Sequence, residues 1–275
     1  MSNNVRDLYW DSLKFVLISL VVYGHVVGSY MPLGGFNRAI YNLIYTFHMP
    51  LFIFVSGRFS QIKDRDKYKK GILRIFETYI VFQIIWRIIE IAGGTEINLL
   101  FIAKVIATPC WTLWYLISLV WWRIMLLAIP EKTLRESPLL ILAISIVVSV
   151  LSGFVPINHH FSIQRTMAFL PFFFMGYYST RIKVKEYLNK IPVFLPSSVI
   201  LICFFVVYVF FNVNLTSILA NSHSYWSDSE FSPVISCIAR CIFIVVAAFM
   251  GIMVMRIVRT RQWTAKWGDC PRTLI

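Results

Sequence analysis

Long apolar runs separated by short polar connections dominate the chain from residue 13 onward. A helix needs about 20 apolar residues to cross a bilayer core, and eight segments approach that length. They are residues 13–30, 39–59, 72–92, 111–129, 138–156, 166–180, 193–212 and 234–255. The runs are continuous rather than alternating, as expected for helices whose backbone groups must pair internally in lipid. The pattern predicts an all-α, polytopic transmembrane bundle forming one domain over residues 1–275.

Lysine and arginine residues are unevenly divided between the predicted connections. The second, fourth and sixth connections and the segment after the eighth helix hold nineteen of them. The first, third, fifth and seventh connections hold three, namely Arg38, Lys104 and Arg165. Because basic residues are retained on the cytoplasmic side, this alternation favours eight spans in the cell membrane, with the N- and C-termini in the cytoplasm.

The composition fits a chain surrounded mainly by lipid. Hydrophobic residues make up 58% and charged residues 14% of the 275 positions, which excludes an ordinary soluble domain of this length. The net charge of +13 lies in clusters between apolar runs, so membrane orientation explains it better than nucleic-acid binding. The five cysteines show no metal-ligand spacing, and no metal site is predicted.

The first predicted helix places a histidine deep in the membrane. His25 follows Lys14 by 11 residues, about 16 Å along a helix, which brings the imidazole near or beyond the bilayer centre. Eleven residues are close to three turns, so the two side chains share a face. An ionisable group at that depth costs about 2.5–3.5 kcal/mol. We therefore interpret His25 as functional, and a hydrogen bond between helices is the structural alternative.

The second predicted helix carries another histidine at middle depth. His48 is two residues before Pro50, which removes a backbone donor and loosens the helix there. Irregular backbone at membrane depth is tolerated where it lines a cavity. Two histidines on consecutive helices, one in line with a lysine and one beside a proline, favour a functional site over separate packing contacts.

These segments resemble the acyltransferase 3 family of membrane acyltransferases, and more closely its fucose 4-O-acetylase-like branch. Asp11, Lys14 and Gly24-His25 are similar to the family's N-terminal signature, with Lys14 where many members have arginine. Residues 47–52 with Ser56-Gly57 resemble the second and most specific signature. Residues 70–79, 111–119 and 165–178 are similar to later family blocks.

The resemblance implies transfer of an acyl group, typically acetyl, from cytoplasmic acyl-CoA to a hydroxyl of a sugar or surface polysaccharide. A neutral imidazole can take the proton of a hydroxyl as the thioester is attacked. His25 is the expected general base, and His48 the orienting or second acid–base group. Acetyl-CoA is expected as donor substrate, with no resident cofactor.

The remaining candidate residues are assigned to substrate binding. Lys14, Lys70 and Arg74 are expected to contact the CoA phosphates, with Asp11 beside them; topogenic charge is the alternative for Lys70. Trp114 is expected to stack on an acceptor sugar, or else to anchor the chain at the membrane interface. Arg165 is expected to contact the acceptor or an intermediate.

Three further ionisable residues lie within predicted helices. Arg87 and Glu90, three residues apart, are expected to pair, either at a sugar site or as a structural ion pair. Arg240 lies inside the eighth helix. We expect it to face the helix bundle rather than lipid.

Two other functions stay open. The first is a transporter or flippase for a glycan or lipid intermediate, which also needs polar residues along a helical bundle. The second is a non-catalytic remnant. The family pattern continues through about two further helices beyond Ile275, so the resemblance implies a C-terminal truncation, with loss of activity if those helices close the site.

Overall fold

A computed structural model of the chain describes residues 7–28, 30, 34–95, 108–156, 160–210, 215, 219–226 and 232–260. Within these ranges the secondary structure is helical and contains no strand, which confirms the all-α prediction. The α-helices are α1 (Leu8–Gly28), α2 (Gly35–Arg58), α3 (Arg65–Ala92), α4 (Trp114–Ala128), α5 (Glu131–Glu136), α6 (Pro138–Leu151), α7 (Ile163–Ala168), α8 (Leu170–Tyr178), α9 (Val184–Asn189), α10 (Leu195–Phe210) and α11 (Pro233–Thr260).

Each of the eight predicted apolar segments is helical over most of its length, and several helices extend beyond the predicted bounds. The sixth segment is divided into α7 and α8 at Phe169, whose backbone angles (φ −94°, ψ 1°) leave the helical region. The third helix begins at Arg65, before the apolar run, because Asp64 caps it there. The short helices α5 and α9 lie in connections where no helix was predicted.

Among the residues that the structure describes, three helices are long and apolar enough to cross a membrane: Leu8–Gly28, Gly35–Arg58 and Pro233–Arg259. Three more apolar helices in these residues are shorter, at Trp114–Ala128, Pro138–Phe154 and Leu195–Phe210. Helix α3 is also long, at 28 residues. It is not among these candidate spans, and it carries four charged residues, Arg74, Glu77, Arg87 and Glu90. The eight-span count and the orientation of the termini stay predictions.

The chain divides into two compact units. Unit 1 comprises Met1–Val55, Ser179–Leu219 and Ile242–Ile275, and its core joins α1, α2, α9 and α11. Leu13 and Leu17 of α1 are fully buried in that core with Leu51 of α2 and Met250 of α11. The Tyr9 hydroxyl donates to the Met255 carbonyl at 3.2 Å, which fixes the start of α1 against α11.

Unit 2 comprises Ser56–Tyr178 and Ala220–Cys241. Helix α6 packs along α8, and α4 packs against α3 and α7. The Trp122 indole is fully buried, stacks on Phe173 with ring centroids 5.4 Å apart and donates to the Thr166 carbonyl at 2.9 Å. At one end of the unit, Gln61 donates to the Tyr177 carbonyl and Arg65 to the Leu127 carbonyl.

Asp64 forms the N-cap of α3. Its carboxylate accepts hydrogen bonds from the backbone N–H groups of Lys67 and Asp66, each at 3.0 Å. Both bonds lower the pKa of the Asp64 carboxyl, and the bond from Lys67 has the larger effect. A capping carboxylate satisfies donors that have no partner within the helix.

We expect Asp64→Ala to lower the melting temperature of the purified chain at neutral pH. The folded-state pKa is depressed, so this stabilisation is present above the ordinary aspartate pKa of about 3.9 and is lost as the pH falls through the folded value. Asp66→Ala is the control, because it removes a first-turn carboxylate and keeps the cap. Equal melting temperatures for the two variants at neutral pH would contradict this account.

Candidate functional site

Helices α1 and α2 approach closely where two glycines of α1 face two tyrosines of α2. A Cβ atom at Gly24 would lie 3.2 Å from the Tyr45 ring, and one at Gly28 would lie 3.1 Å from the Tyr41 ring. The two tyrosine rings stack with centroids 3.9 Å apart. Small residues four apart form a groove that admits a neighbouring helix, and His25 follows the first of them.

His48 is held by its own helix. Its side chain is 3% exposed, its ring meets the Tyr45 ring edge-on at 4.6 Å, and its Nδ1 lies 2.8 Å from the Ile44 carbonyl oxygen. A carbonyl oxygen only accepts hydrogen bonds, so Nδ1 carries the proton and donates. In the neutral ring Nε2 then holds the lone pair. The fold thus assigns the nitrogen of His48 that can accept a proton.

His25 belongs to the same region of unit 1. It is half-buried on α1 and directly follows Gly24. The groove places Gly24 against Ile44 and Tyr45, the residues that contact His48. The structure therefore brings together the two histidines selected from the sequence. Lys14 and Asp11, toward the start of α1, are also half-buried.

The predicted phosphate-binding residues on α3 are solvent-accessible in the structure. Lys70 and Arg74 are exposed side chains four residues apart, so they share one face of the helix. This face is available to an anion.

A small pocket lies within unit 2, with a volume of about 30 Å³. Three separate stretches of the chain contribute its lining: the segment before α4, the start of α7 and the segment before α11. The lining residues are Thr108, Pro109, Trp114, Ser162, Gln164, Arg165 and Ser222. The Arg165 guanidinium lies 4.9 Å from the centre of the Trp114 ring, a cation–π contact. Trp114 and Arg165, both predicted to bind substrate, thus line one pocket.

Two buried residues of α3 fix the Thr108 side of this pocket. The Thr108 carbonyl accepts from Gln83 Nε2 at 3.0 Å and from Arg87 Nη2 at 2.8 Å. Gln83 Oε1 also accepts from the Cys110 backbone N–H at 2.9 Å. Arg87 pairs with Glu90 at 2.7 Å. The Arg87–Glu90 pair therefore has a structural role, in holding the segment that lines the pocket.

The Ser222 side is anchored by Tyr225. The Tyr225 N–H donates to the Gly153 carbonyl at 2.6 Å, and its hydroxyl donates to the Val150 carbonyl at 2.9 Å. Burial raises the pKa of this phenol to about 12, so it stays protonated and can donate. The ring occupies the space that a side chain at position 153 would need. Only glycine fits there without displacing the ring.

Arg240 completes the same anchor. It is 4% exposed, which confirms that it faces protein. Its guanidinium lies 4.8 Å from the centre of the Tyr225 ring, and its Nη1 donates to the Ser149 carbonyl at 3.1 Å and to Ser152 Oγ at 3.2 Å. The sequence did not identify Ser149 and Ser152 as partners, because they lie 91 and 88 residues from Arg240 in the chain.

The backbone is strained at one edge of the pocket. Phe161 and Ser162 both have positive φ, at 48° and 54°. Non-glycine residues adopt this region at a cost of order 1–3 kcal/mol each, and such residues cluster at functional sites. Ser162 lines the pocket, so the strain lies next to the candidate binding groups.

Comparison with known proteins decides the family. A family model described as an acyltransferase domain, that of acyltransferase 3, matches residues 7–267. The chain belongs to the acyltransferase 3 family. It is therefore assigned to the membrane acyltransferases, as its N-terminal signatures predicted. Searches of curated proteins and of solved structures found no match, so the fucose 4-O-acetylase-like branch stays a prediction.

The acyltransferase 3 match spans both candidate regions, the histidine pair and the pocket. In the described part of the chain, no cluster of three or more His, Cys, Asp or Glu residues has the arrangement of a metal site. Sequence analysis missed Gln83, Gln164 and Ser222, which are uncharged and lie in no recognisable motif. The expected C-terminal truncation concerns helices that would follow Ile275. Residues 261–275 lie outside the described residues, and the truncation stays a prediction.

Proposed function

We propose that this acyltransferase transfers an acetyl group from cytoplasmic acetyl-CoA to a hydroxyl group of a sugar or surface polysaccharide. The observation that carries the proposal is the proximity of two intramembrane histidines within an acyltransferase domain. Gly24, the residue before His25, packs against Ile44 and Tyr45, which contact His48, and the lone pair of neutral His48 lies on Nε2. Imidazoles are the commonest acid–base groups in enzymes, and ionisable side chains within membrane spans indicate function by default.

The reaction needs one proton acceptor and one proton donor. The acceptor hydroxyl oxygen attacks the thioester carbonyl carbon, and its proton passes to His25 as general base. The new ester C–O bond forms, the C–S bond breaks, and the CoA sulfur leaves as a thiol after receiving a proton. In this proposal the proton that His25 has taken passes on to the sulfur, and His48 either orients His25 or acts as the second acid–base group through Nε2.

The donor is assigned to the cytoplasmic end of the helices. CoA carries a diphosphate and a 3′-phosphate, which require several cations. Lys70 and Arg74 form an exposed basic face on α3, and Lys14 lies on α1 on the side that the charge pattern makes cytoplasmic. Asp11 is three residues before Lys14 on the same helix, near enough to orient it.

Contacts within unit 2 support the proposed topology. Gln61 contacts Tyr177, and Arg65 contacts Leu127, so residues near the second, fourth and sixth connections meet. The pocket collects residues from the third, fifth and seventh connections. Connections on the same side of a membrane can meet in this way, as eight alternating spans require. The pocket then lies on the outer side, opposite the basic connections.

The proposal is tested by incubating membrane vesicles that contain the chain with radiolabelled acetyl-CoA and cell-surface polysaccharide. We expect base-labile label in the polysaccharide, in proportion to the amount of the chain and absent from vesicles without it. Sugar movement across the vesicle membrane without an acyl donor would instead indicate a transporter. A chain present in the membrane that transfers no label would also contradict the proposal.

A further inference from the structure

Gln164, which lines the unit 2 pocket, carries a buried hydrogen-bond acceptor that the protein holds in place and does not use. Gln164 is 1% exposed. Its Nε2 donates to the Ser152 carbonyl at 2.9 Å and lies 3.5 Å from the His223 carbonyl. Both partners only accept, so the amide nitrogen must face them. In the described part of the chain, Gln164 Oε1 is buried without a hydrogen-bond partner, an arrangement that folded proteins rarely keep.

We propose that this pocket binds a hydroxyl group of a neutral carbohydrate, with Gln164 Oε1 as the acceptor that selects it. The inference rests on the proposed function for the identity of the ligand as a sugar, and adds the residues that recognise it. Trp114 and Arg165 were predicted from the sequence, whereas Gln164 is assigned by the structure alone.

The size of the pocket limits what enters it. A volume of about 30 Å³ exceeds the 10–15 Å³ needed for one water molecule, but it is far too small for a sugar ring. A single hydroxyl or hydroxymethyl group fits. The ring to which this group belongs then lies outside the pocket.

The chemistry of the lining favours a neutral ligand over an anion. A phosphate or carboxylate would bring oxygen lone pairs toward Gln164 Oε1, which can only accept a hydrogen bond. A hydroxyl donates to Oε1 and can still accept from the side-chain hydroxyl of Thr108 or Ser222. The only ionisable side chain among the described lining residues is Arg165, and it lies over the Trp114 ring.

The pocket is also held rigid before a ligand arrives. Buried Gln83 and Arg87 fix the Thr108 carbonyl, and the Tyr225 hydrogen bonds fix the segment that carries Ser222. Preorganised groups bind a ligand with less loss of entropy on association. Fixed polar groups around a small pocket therefore suit one hydroxyl group of a weakly bound, polyhydroxylated molecule.

The experiment measures binding to the purified full chain in detergent, without an acyl donor. The probes are the methyl glycosides of glucose, galactose and fucose, followed by saturation-transfer difference NMR, with inorganic phosphate as the anionic probe. We expect at least one glycoside to bind. Gln164→Met should weaken its binding about tenfold, the effect of losing one well-placed hydrogen bond.

Gln61→Met is the matched control. Gln61 also donates through Nε2 to a backbone carbonyl, that of Tyr177 at 3.0 Å, but it lies at the other end of unit 2. We expect binding in this variant to stay within about twofold of the original value. If Gln164→Met fails to fold, Thr108→Val removes one pocket hydroxyl with little change of shape. That variant should weaken binding about threefold to fivefold.

The outcomes separate this inference from the proposed function. Glycoside binding that depends on Gln164, in a chain that transfers no label, would support the proposed carbohydrate pocket and refute the acyltransferase reaction. Acyl transfer with an acceptor KM unchanged in Gln164→Met would support the proposed reaction and refute carbohydrate binding by the pocket. Binding of phosphate in place of glycosides, or no binding by a folded chain, would overturn the inference, since the pocket would then hold an anion or only water.

Discussion

Replacing His48 by asparagine is expected to abolish acyl transfer while leaving the chain folded. The side-chain amide nitrogen of asparagine matches His48 Nδ1 in position, so it can donate to the Ile44 carbonyl as the imidazole does at 2.8 Å. No group then occupies the place of Nε2. Removal of an acid–base group costs typically 10²–10⁴-fold in rate. The measurement is label transfer per amount of chain in membrane vesicles.

Two further variants complete this test. His25→Ala removes the proposed general base and should reduce transfer to a similar extent, with the chain still present in the membrane. His48→Gln places a polar group near Nε2 and not at Nδ1. Comparing its activity with that of His48→Asn therefore distinguishes the contribution of Nε2 from that of Nδ1. If His48→Asn retained full activity, the role of His48 would be limited to its bond with Ile44. Transfer that survived both His25→Ala and His48→Ala would remove the mechanism altogether.

Replacing Gly57 by alanine is expected to prevent normal folding of unit 2. A Cβ atom at this position would overlap the Phe173 carbonyl oxygen and approach the Phe173 carbonyl carbon at 2.9 Å and the Tyr177 nitrogen at 3.0 Å. All three are backbone atoms of α8, so no side-chain rotation relieves the clash. Overpacking a rigid contact costs about 1–3 kcal/mol and sometimes more. We expect a marked loss of membrane accumulation and a lower melting temperature.

Gly71→Ala is the control for this prediction. Gly71 is also helical and belongs to unit 2, and the nearest atom to its added Cβ is the end of the Arg123 side chain at 3.7 Å. Alanine is favoured over glycine within a helix by about 1 kcal/mol, so this variant should be equally or more stable. Equal behaviour of the two variants would show that α2 and α8 do not approach as closely as described.

The sequence predicted where the helices lie better than where they begin and end. Long apolar runs identify helices in lipid because backbone pairing leaves few alternatives. The break at Phe169 has no such signal, since an apolar residue with non-helical angles follows only from packing. The early start of α3 depends on one capping side chain, Asp64, in a stretch that sequence analysis interpreted as a charged connection.

Only part of the candidate site could be predicted from the sequence, because some of its residues carry a local signal and others depend on packing. His25 and His48 stand out because ionisable groups are rare at membrane depth. Gln83 and Gln164 carry no charge, and each acts through a hydrogen bond to a residue distant in the chain. The partners of Arg240 are set by the same long-range packing. Such pairings become visible only once the chain is folded.

The glycine groove of α1 fixes more than a contact between two helices. If α1 slid along α2 by one turn, about 5.4 Å, in the direction that brings Leu20 to the place of Gly24, the Leu20 side chain would clash with the Tyr45 ring, which a Cβ atom alone already meets at 3.2 Å. The two stacked tyrosines therefore oppose this displacement of α1. In the proposed enzyme, the glycine before His25 therefore limits how far the imidazole can move in that direction through the bilayer.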